Sequence, residues 1–125
     1  MPVNQSDMRS TVRLTRLWAP VLFFMAAIFY ASSLPGSHIP HLFLSQDIYY
    51  HTAAYSALGF LFSRALKKTC KSLSRKKRVV FTVIFGIIYG ISDEVHQYFV
   101  PGRSVSATDL SVDAIATFIG GLLYR

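Results

Sequence analysis

Four apolar runs, each near the length of a bilayer crossing and separated by prolines, glycines or clustered cations, constrain this chain more than any other feature. Leu17 to Leu34 carries no charge over 18 residues. At about 1.5 Å rise per residue such a helix spans about 27 Å, close to the hydrocarbon thickness of a membrane. Pro35, Gly36 and Pro40 then break the helix and predict a loop or a short re-entrant piece. A second helix follows over 47–66, and Lys67, Lys68, Lys71, Arg75, Lys76, Lys77 and Arg78 mark a solvated loop. The third helix covers 79–99 and stops at Pro101-Gly102. The fourth covers 108–125, with Ser106-x-x-Asp109 spaced as an N-terminal cap. The expected fold is therefore all-α: a polytopic bundle of four transmembrane helices over 17–125, preceded by a polar segment over 1–16.

The first run also has the parts of a cleavable signal peptide: Arg9, Arg13 and Arg16 before it, an apolar core, and small residues Ala31, Ser32 and Ser33 after it. Three further spans need a topological partner, which favours its retention. Pro20 falls near the first turn of this helix, where proline is tolerated. Trp18, Tyr30, Tyr98 and Tyr124 fall near helix ends and read as interfacial anchors.

Charge sets the orientation. Every Lys and Arg except Arg103 lies in the N-terminal segment, in or beside the middle loop, or at the last residue. The positive-inside rule puts those three places in the cytoplasm, so both termini are expected there. The net charge of +7 is thus a topology signal, and the lack of a basic polar surface argues against a nucleic-acid partner. A hydrophobic share of 52% with only 15% charged residues agrees with a membrane solvent. Cys70 is the single cysteine, sits among lysines and excludes an internal disulfide; it reads as a spectator thiol.

The acids segregate the other way. Asp47, Asp93, Glu94, Asp109 and Asp113 all fall toward the outer ends of helices, as do His38, His41, His51 and His96. Counting from the cytoplasmic ends, His51 is 15 residues from Leu66, Asp93 is 14 from Val79 and Asp113 is 12 from Arg125. Helix rise places all of them roughly 18–23 Å above the inner edge of the bilayer core. Asp47 and Asp109 lie one turn further out. Each helix also aligns its polar groups: Asp47, His51, Tyr55 and Gly59 on the second; Gly86, Gly90, Asp93 and Gln97 on the third; Asp109, Asp113, Ala116 and Gly120 on the fourth. Turning these stripes toward each other makes a tight lower bundle at the small residues and a polar pocket above.

Ionisable groups at this depth cost about 2.5–3.5 kcal/mol each on insertion scales. A structural network, for example Arg103 with Asp109, is one use for them. It leaves five acids facing one arginine, an imbalance that calls for protonation, a bound cation or a cationic ligand. Asp47, His51, Asp93 and Asp109 are the catalytic candidates. Asp47, Asp93, Asp109 and Asp113 are candidates to hold a divalent cation. Tyr55, Gln97 and Arg103 are candidates to contact a substrate. Glu94 joins them, although one step beyond Asp93 it points off this face and toward the outer interface. The face of His96 stays open, and His38 and His41 read as solvated loop residues.

Three elements together resemble a known family. They are Asp47-x-x-x-His51-x-x-x-Tyr55-x-x-Leu58-Gly59; then Gly86-x-x-Tyr89-Gly90-x-x-Asp93-Glu94-x-x-Gln97-x-Phe99-x-Pro101-x-Arg103; then Asp109-x-x-x-Asp113, with Gly120 seven residues on. In this order and spacing they are similar to the VanZ-like proteins of bacteria, over about 47–121. Members often carry Asn at the position of Asp113 and Gly at that of Ala116 or Thr117. The resemblance implies a multi-pass protein of the bacterial cytoplasmic membrane and cell envelope, linked by its name to teicoplanin, a glycopeptide antibiotic. It implies no settled reaction.

Three functions compete on these residues. The first is an envelope protein that alters glycopeptide susceptibility through the outer leaflet or cell-wall precursors, with membrane lipids or a lipid-linked precursor as partner. The second is a metal-dependent enzyme acting on a lipid headgroup or polyprenyl-linked substrate, with His51 as general base or acid and Arg103 on a phosphate. No nucleophile motif, phosphate loop or HExxH supports it. The third is a proton- or cation-coupled transporter, for which four helices require a homo-oligomer.

Overall fold

The computed structural model describes residues 4–125; Met1, Pro2 and Val3 of the expected N-terminal segment lie outside the described residues. Four α-helices occur among the described residues: α1 (Gln5–Ser32), α2 (Gln46–Thr69), α3 (Arg75–Tyr98) and α4 (Ala107–Leu123). A single 3-10 turn, Gly36–His38, sits in the first loop, and no strand occurs among the described residues. The all-α expectation holds. Helices α1 and α3 are long and apolar enough to cross a membrane.

Helix α1 starts well before the apolar run. Asn4 caps it by accepting from the Ser6 N–H, and Asp7 sits in its first turn, where a carboxylate favours the helix dipole. The polar residues 5–16 thus extend the first helix. Ser74 caps α3 through the Lys77 N–H, and Ser106 caps α4 through the Asp109 N–H, as the Ser-x-x-Asp spacing predicts. Helix α2 begins at Gln46, whose buried amide accepts from the Leu42 N–H at 2.7 Å and donates to the Pro40 carbonyl at 2.8 Å. That side chain staples the proline-broken loop to the helix it introduces.

The helices alternate in direction. The first and third loops meet at one end, where the Gly36 N–H donates to the Pro101 carbonyl at 3.0 Å. At the other end the cations gather on the last turn of α4. Arg78 donates to the Tyr124 carbonyl at 2.9 Å, Arg75 to that of Leu122 at 3.1 Å and Lys67 to that of Arg125 at 2.6 Å. Carbonyls at a helix C-terminus have no partner within the helix and carry its negative pole, so cations suit them. Trp18 donates to the Thr69 hydroxyl at 3.1 Å and packs edge-on against Phe62, tying α1 to the same end.

Helices α2 and α4 make the closest pair, and α1 touches α2 and α3 without approaching α4. The buried set includes the inner part of the expected stripes: Tyr55 and Gly59; Gly86, Gly90, Asp93 and Gln97; Asp113, Ala116 and Gly120; His51 and Asp109 are half-buried and Asp47 is exposed. Large apolar side chains instead cover the outside, with Phe23, Tyr30, Ile88 and Leu123 each more than 60% exposed. A surface so apolar around a centre holding Ser63, Thr82, Asp93, Asp113 and Thr117 inverts the arrangement of a protein dissolved in water.

Candidate functional site

The titratable residues converge at the end of the bundle opposite the cations. His51 stands at the centre. Its Nδ1 lies 2.7 Å from Asp113 Oδ1, and its Nε2 lies 4.0 Å from Asp109 Oδ2. Asp113 is fully buried, and with its carboxylate accepting a hydrogen bond from Nδ1–H, Nε2 is the free imidazole nitrogen. An Asn offers the same acceptor oxygen, so the departure at Asp113 from the VanZ-like pattern preserves the contact. Tyr55 lies one turn below His51 with its ring parallel, centroids 6.1 Å apart. Tyr89, Phe85 and Phe62 continue this aromatic column inward.

Asp93 on α3 faces α1. One oxygen accepts from the Ser32 hydroxyl and the other from Gln97 Nε2 at 3.1 Å. Both partners are neutral. Ser33, the C-cap residue of α1, is likewise within 2.8 Å of His96 Nε2, and His96 stacks on Phe29 at 4.2 Å, which places His96 on the α1 side of α3. Helix α1 offers no polar stripe at regular spacing, so neither serine is singled out by the sequence. Their signal is only that they end an apolar run.

Glu94 corrects its expected place. It is buried at 4% exposure instead of reaching for the interface. Its Oε2 accepts the Ser106 N–H at 2.8 Å, at the start of α4. A carboxylate at a helix N-terminus meets free N–H groups and the positive pole. The tight turn after α3, with Gly102 at φ +73°, returns the chain so that α4 begins beside Glu94. Glu94, His51 and Asp109 each present a ligand atom, all within 4.8 Å of one another.

The remaining candidates separate. Asp47 is exposed, and Arg103 is half-buried with no ion pair to Asp109 among the described residues. Asp47, His51, Tyr55, Asp93, Gln97 and Arg103 nonetheless line one cavity of about 450 Å³. Phe24, Ala27, Ile28 and Ala31 of α1 and Ala54 of α2 make an apolar part of its wall, and Ser32 and the loop residue His38 also line it. Glu94, Asp109 and Asp113 are not part of that lining. His51 is therefore the residue shared by the cavity and the carboxylate cluster.

A helical bundle with an apolar exterior, a cationic end and an acidic, histidine-centred site at the other end defines an α-helical membrane protein with an internal polar site. The chain belongs to the VanZ/LLP1 family, whose model matches residues 14–125. No curated protein and no solved structure matches it.

Proposed function

We propose that this VanZ-like protein crosses the bacterial cytoplasmic membrane four times, with both termini cytoplasmic, and binds the polar head of a lipid or lipid-linked cell-wall precursor in its outward cavity. Changed availability of that ligand at the outer leaflet then alters susceptibility to glycopeptides such as teicoplanin. The observation that carries the reading is the cavity's division: one wall of small and aromatic apolar side chains from α1, the other of Asp47, His51, Asp93, Gln97 and Arg103. An amphiphile needs both. Arg103 offers a planar fork of donors to a phosphate, and the α1 wall suits an acyl or prenyl chain.

The connections support the reading of four spans. If α1 and α3 cross, α2 and α4 run back between the same two ends and traverse the same thickness. The segment 1–16 and the cation cluster then lie inside and the cavity outside. Single cysteines at Ser37, Ser74 and Ser104, all exposed, test this in a Cys70→Ser background. Positions 37 and 104 are expected to react with an impermeant thiol reagent on intact cells and position 74 only after lysis. Labelling of 74 alone on intact cells overturns the topology.

Binding is tested by thermal shift in detergent with a polyprenyl phosphate and with a diacyl phospholipid as separate probes. The wild-type chain is expected to be stabilised by one of them. Ala54→Trp, which fills the cavity, is expected to abolish the shift and the susceptibility phenotype together. A shift retained by Ala54→Trp overturns the assignment of the ligand to this cavity. The proximity of His51 to Asp113 favours one second reading, hydrolysis or transfer at the bound headgroup with His51 Nε2 as general base.

A further inference from the structure

We propose that His51, Glu94 and Asp109 form the binding site of one divalent transition-metal cation, with Asp113 positioning the histidine. The inference deepens the reading of the outward polar site and rests on it for the side of the membrane that the cation reaches. Three residues on three helices supply the donors: His51 from α2, Glu94 from α3 and Asp109 from α4. Their ligand atoms lie within 4.8 Å of one another. Bonds of about 2.0–2.2 Å to nitrogen and carboxylate oxygen set ligand atoms roughly 3–3.5 Å apart, so side-chain movement of about 1 Å closes the shell.

Two observations beyond proximity point to a cation. Glu94 is 96% buried, its Oε2 is engaged by Ser106, and its Oε1 has no hydrogen-bond partner among the described residues. A buried carboxylate oxygen left unpaired is costly, and a cation beside it removes that cost. The second is the histidine's arrangement. Asp113 holds Nδ1 at 2.7 Å, which leaves Nε2, 4.0 Å from Asp109 Oδ2, as the nitrogen free to bind a cation. A metal-bound imidazole is ordinarily held this way by a carboxylate on its other nitrogen. Asp113 Oδ2 is also buried and has no hydrogen-bond partner among the described residues.

One imidazole and two carboxylates suit zinc-class or manganese-class ions over magnesium, which prefers an all-oxygen shell with several waters. This donor set differs from the four-aspartate set that the spacing suggests, since Asp47 and Asp93 face the cavity. His51 is the shared residue, so a cation on Nε2 adds positive charge at the edge of the cavity that receives the headgroup.

The test is Zn2+ and Co2+ titration of the full-length protein in detergent after chelation, with Mg2+ as the contrasting ion. One equivalent of Zn2+ per chain is expected, and Co2+ is expected to give visible d–d bands altered by Zn2+ competition. His51→Ala, Glu94→Gln and Asp109→Asn are each expected to weaken Zn2+ at least about tenfold, and Asp113→Ala by about 10–100-fold, as for partners behind a ligand. His41→Ala, on an exposed loop residue, is expected to bind Zn2+ as the wild type does. Where a triad variant does not fold by circular dichroism, the wild-type cobalt spectrum decides. Absence of those bands, Zn2+ affinity unchanged in the folded triad variants, or binding of Mg2+ alone overturns the proposal. Lipid-induced thermal shifts on the same samples separate the two readings: loss of metal binding with lipid binding intact removes the cation only, and the reverse removes the cavity ligand only.

Discussion

Gly120→Leu is expected to prevent assembly of the bundle, with the folded form lost from detergent extracts and no thermal transition. Gly120 lies where α4 meets the backbone of α2: a Cβ there would run into the Ser56 carbonyl and come within 2.8 Å of the Phe60 nitrogen. The obstacle is main chain, which cannot rotate aside as a side chain can. Gly59, across the same interface, meets the Thr117 backbone, so the helices fit into each other from both sides. Small residues that admit close backbone approach are the main source of helix association in lipid, where burial of apolar surface supplies little. Ordinary overpacking of a core costs about 1–3 kcal/mol, and a leucine wedged between two backbones exceeds that range. Gly90→Ala makes the graded comparison. Its Cβ would meet only side chains, Asp113 and Leu110, at 3.1 Å, so a smaller drop in melting temperature is expected. Equal stability of Gly120→Leu and wild type would show that α2 and α4 do not pack as described.

The same interface explains what the sequence made legible. Helical spacing is a local property, so the stripe ending in Gly59 on α2 and the stripe holding Ala116 and Gly120 on α4 stand out without knowledge of the partner. They then find each other because small residues at those positions let the two backbones approach closely. The cap at Ser106 is legible for the same reason, since its acceptor and donor lie within one turn. Glu94 is different. Helical geometry turns it about 100° from Asp93, and only the return of the chain through Gly102 brings the start of α4 over it. That is a tertiary event with no periodic trace. The part played by α1 is hidden likewise. Ser32 and Ser33 look like the end of an apolar run, and their contacts with Asp93 and His96 span more than sixty residues of sequence. The helical form of residues 5–16 has no apolar periodicity to mark it, and it shows instead in Thr11 and Thr15, which bond back to carbonyls four residues earlier, as hydroxyls in a continuing helix do.

Asp93→Asn is expected to leave melting temperature unchanged or raised while abolishing the cellular phenotype, and the pairing of the two measurements gives the result its meaning. A carboxylate that serves only the bundle has a cationic partner, and removing it strands that cation at a cost of about 3–5 kcal/mol. Asp93 has no such partner among the described residues: its oxygens take hydrogen bonds from Ser32 and Gln97, both neutral. Asparagine keeps an acceptor for one of them and removes a negative charge from a site that also holds Asp109, Asp113 and Glu94. Like charges in one site oppose each other, so neutralising one relieves the rest. Asp47→Asn is expected to behave the same way, since Asp47 lines the cavity and forms no ion pair among the described residues. The contrast is Asp113→Ala, which takes the acceptor from His51 Nδ1 inside the packed core and is expected to lower stability as well as function. Melting in detergent and teicoplanin susceptibility, measured on all three variants, decide among the outcomes. Unfolding by Asp93→Asn and Asp47→Asn would make these carboxylates part of the scaffold. Stable proteins with wild-type phenotype would remove the cavity's acids from function altogether.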